Sequence, residues 1–128
     1  MENLSLPFKI DEVFGGLAET QGILSLRESH LKLQYQTKDA LFGMMKSAIK
    51  ESRVSFGEIE EACFKKGFFS SKLTLRFSSM ATLPGLKGEK PGEVCLKVEK
   101  KYADIARDFE SKIRLQVADL LLKNAYNS

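Results

Sequence analysis

The 128-residue chain is predicted to be mostly β with one helix, and three observations carry that prediction. Several short runs alternate apolar and polar residues with a period of two, the mark of half-buried strands. Gly and Pro punctuate the spaces between those runs. From about residue 100 the apolar period changes to 3.6, the mark of an amphipathic helix.

Residues 1–16 read as an N-terminal lead-in that closes on Gly15 and Gly16, with Leu6, Phe8, Ile10, Val13 and Phe14 available for packing. A single domain then covers 17–128. Residues 17–28 resemble a strand bent near Gly22, with Leu24 and Leu26 on a buried face. Residues 31–38 alternate cleanly, Leu31, Leu33 and Tyr35 against Lys32, Gln34 and Gln36, and the polar joint Glu28-Ser29-His30 suits a hairpin. The segment 39–52 is ambiguous between helix and loop. Leu41, Met44, Met45 and Ala48 have helical spacing, but Gly43 and the short length weaken it.

Short strands follow at 53–56, 59–66 and 68–77. In the last of these Phe69, Leu73, Leu75 and Phe77 share one side, and Ser70, Lys72, Thr74 and Arg76 the other. A two-residue turn at Lys66-Gly67 would set Phe64 opposite Phe69 and Glu61 opposite Lys72, although a bulge would shift that register. On this reading Lys65 and Lys66 are solvated turn residues, and the alternative is an anion- or lipid-facing tip. The stretch 78–92 is turn-rich, and 93–99 forms the last strand with Val94, Leu96 and Val98 inward. Tyr102, Ile105, Ala106, Phe109, Ile113, Val117, Leu120 and Leu121 then mark one helix over about 100–124, longer than a lid over a sheet this small requires.

The residues that chemistry needs are sparse. His30 is the single histidine, so any Ser–His–Asp or Cys–His arrangement depends on a turn residue. Cys63 and Cys95 have neither metal-ligand nor redox spacing and read as inert core thiols. The glycine-rich pieces FGG and GLKGEKPG lack phosphate-loop spacing. No enzyme, metal or cofactor is expected. The net charge of +3 is too mild for a nucleic-acid binder, and no nucleic-acid partner is expected. The charge is uneven: residues 1–30 hold two basic and five acidic groups, residues 61–90 six basic and two acidic. The N-terminus shows no secretion signal and no apolar run spans a bilayer, which makes the cytoplasm the default expectation.

Three stretches, GLAETQGILSLRESHLKLQYQTKD, KSAIKESRVSFGEIEEACFKKGFFSSKLTLRF and LPGLKGEKPGEVCLKVEKKYADIARDFESKI, resemble the bacterial pleckstrin-homology-like domains and cover most of residues 16–113. The resemblance implies a bent antiparallel sandwich or half-barrel of about seven strands, capped by the C-terminal helix. The basic residues that inositol-phosphate-binding members spread over their first two strands are reduced here to Arg27 and Lys32, and the helix tryptophan usual in those members is missing. The function expected is therefore a binding and interaction module that is a homo-oligomer or takes a protein partner. Its interface candidates are Leu41, Phe42, Met44 and Met45 with Leu120, Leu121 and Leu122, which exceed what the minimum fold can bury. The alternative is weak binding to a membrane surface or another anion through Lys65, Lys66, Lys87 and Lys90.

Overall fold

The computed structural model describes residues 4–13, 18–39, 49–78 and 92–127. Seven strands run β1 Ser5–Val13, β2 Ala18–Leu26, β3 His30–Asp39, β4 Lys50–Ser55, β5 Ile59–Lys65, β6 Ser71–Phe77 and β7 Glu93–Val98. The helix α1 spans Ala103–Asn127. All strand pairs are antiparallel and form one open sheet in the order β4-β3-β2-β1-β7-β6-β5. Two meanders, β1–β4 and β5–β7, are thus joined side by side where β1 meets β7. The helix packs against β5, β6 and β1 and closes the open half-barrel. The mostly β class and the capping helix are as the alternation and the change of period predict.

The inner face is built rung by rung from the inward positions. Leu6, Leu24 and Leu33 lie opposite one another across β1, β2 and β3, as do Leu73 and Leu96 across β6 and β7. All five are fully buried. Phe109, Ala106 and Ile113 complete this core from α1, so the first half of the helix is a structural plug. Between Phe8 and Tyr35 the rung is occupied by Gly22, where a Cβ would collide with the Phe8 ring and the Gln34 carbonyl. The glycine lets the two aromatics close over the sheet.

The N-terminal stretch differs from the expected lead-in. Leu6, Phe8 and Ile10 face the core from β1, which is the central strand of the sheet. Pro7 argues against a central strand on sequence grounds, because proline cannot donate to a ladder. The register removes the conflict. The Leu26 amide donates to the Leu4 carbonyl, so even-numbered residues of β1 bond to β2 and Pro7 points its nitrogen the other way. On that side β7 has already ended at Val98.

The hairpin between β5 and β6 also departs from the expected register. Phe64 lies opposite Leu73 rather than Phe69, and Glu61 opposite Arg76 rather than Lys72. The last cross-strand pair is Lys65 with Lys72, so residues 66–70 form a five-residue loop. Its geometry requires Gly67, because a Cβ there would run into the Ser70 carbonyl.

At the sheet edge, α1 covers β5 with side chains. Glu110 accepts a hydrogen bond from the Phe64 amide, and the Arg114 Nε donates to the Ala62 carbonyl at 2.9 Å. Edge-strand groups that would otherwise invite another strand are thereby satisfied. The Arg107 guanidinium lies 5.7 Å from the centre of the Phe64 ring and covers the same edge.

Candidate functional site

The residues considered for catalysis do not come together. His30 opens β3, and its Nδ1 is 3.2 Å from the hydroxyl of its neighbour Ser29. Cys63 and Cys95 are half-buried free thiols on the outer face of the sheet, each opposite Thr74. Two strand spacings therefore separate them, beyond disulfide reach, and neither is a core residue as the sequence predicts. Among the described residues no group of His, Cys, Asp and Glu could hold a metal ion.

Surface features are more informative. The loop from Lys66 to Ser70 projects two aromatic side chains into solvent, Phe68 at 80% and Phe69 at 87% exposure. Their rings meet edge to face, with centroids 4.7 Å apart. The expectation that Phe69 joins the core is wrong, because β6 begins only at Ser71 and the inward alternation starts with that residue. The adjacent phenylalanines already held the signal. Two successive residues of a strand cannot face the same side, so an FF pair next to a turn leaves at least one ring outside.

Basic groups surround this tip. Lys65 and Lys66 precede it, and Lys100, in the turn after β7, holds its Nζ 5.2 Å from the centre of the Phe68 ring. One rung below the tip the outer face carries lysine on four adjacent strands. Lys65 is opposite Lys72, Lys72 opposite Lys97, and Lys97 opposite Lys9. Like charges directly opposite one another weaken a sheet. Two rungs away on the same face the chain does the reverse. There Arg76 sits between Glu61 and Glu93 and bonds Glu61 at 2.9 Å. Among the described residues no carboxylate pairs with Lys65, Lys66 or Lys72, and the nearby Glu99 is 3.4 Å from Lys101. That contact raises the Lys101 pKa.

Of the residues named from the sequence as anion contacts, Lys65 and Lys66 belong to this tip. Lys87 and Lys90 lie outside the described residues, and the strand ends flanking them, Phe77 and Glu93, are at the opposite end of β6 and β7 from the tip. Lys9, Lys72, Lys97 and Lys100 are not among the anion contacts named from the sequence. Each is outward in its own run, but only the register of four strands shows three of them to be neighbours of Lys65.

The second feature is the outer side of α1. Leu115 is 67%, Leu122 58% and Tyr126 87% exposed. With Ala118 and Ala125, Leu115 and Leu122 recur at the alternating three- and four-residue spacing of a helix-pairing seam, and Tyr126 follows Leu122 by four residues on the same side. At 3.6 residues per turn this seam lies across the helix from Phe109 and Ile113. Of the interface candidates from the sequence, Leu120 packs on the core, Leu121 and Leu122 are exposed, and Leu41, Phe42, Met44 and Met45 lie outside the described residues. No described helix is long and apolar enough to cross a membrane. The chain matches no family model, no curated protein and no solved structure.

Proposed function

We propose that the chain is a non-catalytic, pleckstrin-homology-like interaction module that pairs with a second copy of itself through α1. The observation that carries this reading is the outward seam of Leu115, Leu122 and Tyr126 on a helix whose other side is already occupied by the core. A lid needs one apolar face, and this helix has two. Its 25 residues extend about 37 Å, and the side chains of residues 121–126 are exposed. Asp119 and Lys123 flank the seam and bridge one another at 3.1 Å. They offer both signs of charge to a helix related by a two-fold axis, which suits a self-complementary interface. The two meanders and the closing helix support the pleckstrin-homology-like part of the reading.

Light scattering after size exclusion, over a range of protein concentrations, tests the proposal. The parent chain should run as a dimer, and the double variant Leu115→Lys, Leu122→Lys as a monomer with unchanged far-ultraviolet circular dichroism. A parent chain that stays monomeric when concentrated would overturn it.

A further inference from the structure

A second surface, at the other end of the structural logic and independent of self-association, has its own chemistry. We infer that the β5–β6 tip and the lysine rung beneath it form a docking surface for an anionic lipid bilayer. The aromatic pair Phe68 and Phe69 inserts, while Lys9, Lys65, Lys66, Lys72, Lys97 and Lys100 meet the headgroups.

Three observations support a bilayer as the occupant. Phe68 and Phe69 stand on a projecting apex rather than in a groove, and a folded chain gains nothing in water from two rings so exposed. Rings at a protein apex suit the boundary between headgroups and acyl chains, where aromatic side chains are favoured. Next, the rung Lys65–Lys72–Lys97–Lys9 runs perpendicular to its strands. When the strands approach a surface end-on, these four lysines lie at one depth, about one rung behind the tip. Strands are about 4.8 Å apart, so the rung presents a line of charge about 14 Å long, matched to a plane of phosphates. Finally, Lys65 and Lys72 stand directly opposite one another with no carboxylate paired to either among the described residues, while two rungs away the Glu61–Arg76–Glu93 rung is complementary. An anionic surface supplies a counter-charge to Lys65, Lys66 and Lys72, with which no carboxylate pairs among the described residues.

A nucleic acid fits less well. Bases stack on flat rings set along a basic groove, whereas here the two rings meet at 85° on an apex.

Because the chain contains no tryptophan, Phe69→Trp gives a single emission reporter at an exposed position. Co-sedimentation would use vesicles of phosphatidylcholine alone and of phosphatidylcholine with phosphatidylglycerol. Binding is expected only to the anionic vesicles, falling steeply with added salt. The tryptophan should shift to the blue on binding and be quenched by brominated lipid. Lys72→Glu and the double variant Phe68→Ser, Phe69→Ser should each weaken partitioning about tenfold, with circular dichroism unchanged. Four results would overturn the inference: no binding to anionic vesicles, equal binding to neutral ones, variants that bind like the parent, or a tryptophan that stays solvent-exposed. Displacement from vesicles by an equal phosphate concentration of single-stranded DNA would also overturn it, in favour of a soluble polyanion. The monomeric Leu115→Lys, Leu122→Lys protein serves as a control, since its vesicle binding separates this surface from the helix seam.

Discussion

Lys72→Glu should stabilise the free protein, and the gain should vanish in salt. Lys72 lies between Lys65 and Lys97 on the outer face. Strands spaced about 4.8 Å apart, with long side chains that splay, put neighbouring ammonium groups about 7 Å apart. Coulomb's law in water then gives about 0.6 kcal/mol of repulsion per pair. Reversing the charge turns two repulsions into two attractions. After the entropy of restraining exposed side chains is deducted, a gain of about 1–2 kcal/mol is left, in line with measured cross-strand charge pairs. For 128 residues the unfolding entropy is about 0.27 kcal/mol per kelvin, so Tm should rise by about 4–7 °C. The Debye length is about 30 Å at 0.01 M salt and about 3 Å at 1 M, so the gain should be large at the first concentration and close to zero at the second. Thermal melts of parent and variant at both concentrations measure it. Arg76→Glu is the mirror experiment, because it places a carboxylate between Glu61 and Glu93 and should destabilise by a similar amount. An unchanged or lower Tm for Lys72→Glu at low salt would refute the reasoning, as would a gain indifferent to salt.

Three further outcomes are expected. Phe109→Ala, at a fully buried position under the helix, should cost about 3–5 kcal/mol in urea unfolding. Glu110→Ala strips the Phe64 amide of its acceptor and should cost about 1–3 kcal/mol, with faster hydrogen exchange at that amide, whereas Glu110→Gln keeps an acceptor and should lose less. The hydrogen bond from Lys32, with help from Arg53, holds the Glu51 pKa below its usual value. That contribution is present above the ordinary carboxylate range and is lost as pH falls through the lowered value, so Glu51→Gln should flatten the acid limb of a stability–pH profile.

Much of this architecture was legible in the sequence because strand and helix periods are local properties. Leu31, Leu33 and Tyr35 announce the inner face of β3, and Phe109 and Ile113 the inner face of α1, from spacing alone. Three features depended on something longer in range. β1 looked like a lead-in that closes on Gly15 and Gly16, and only its pairing with both β2 and β7 places it at the centre of the sheet. The Phe68–Phe69 tip depended on where a loop ends, and two against five loop residues decide whether Phe69 is core or apex. The lysine rung is invisible in any single run, since Lys9 and Lys97 become neighbours only when the two meanders meet. On α1, Leu122 was legible as an interface candidate, whereas Leu115 was separable from the core stripe by spacing but masked by the stronger inward pattern.

The place where Lys9 faces Lys97 is also the seam between the two halves of the sheet. Each meander assembles from hairpins close in sequence, whereas this seam closes the longest loop between paired strands, and such closures are slow. During synthesis the first four strands emerge long before β7, so the β1 flank waits for its partner. The seam completes itself by bringing two positive charges together. Anything anionic that bridges them in the finished protein therefore clamps the joint between the two meanders, and binding should register as slower unfolding of the whole domain.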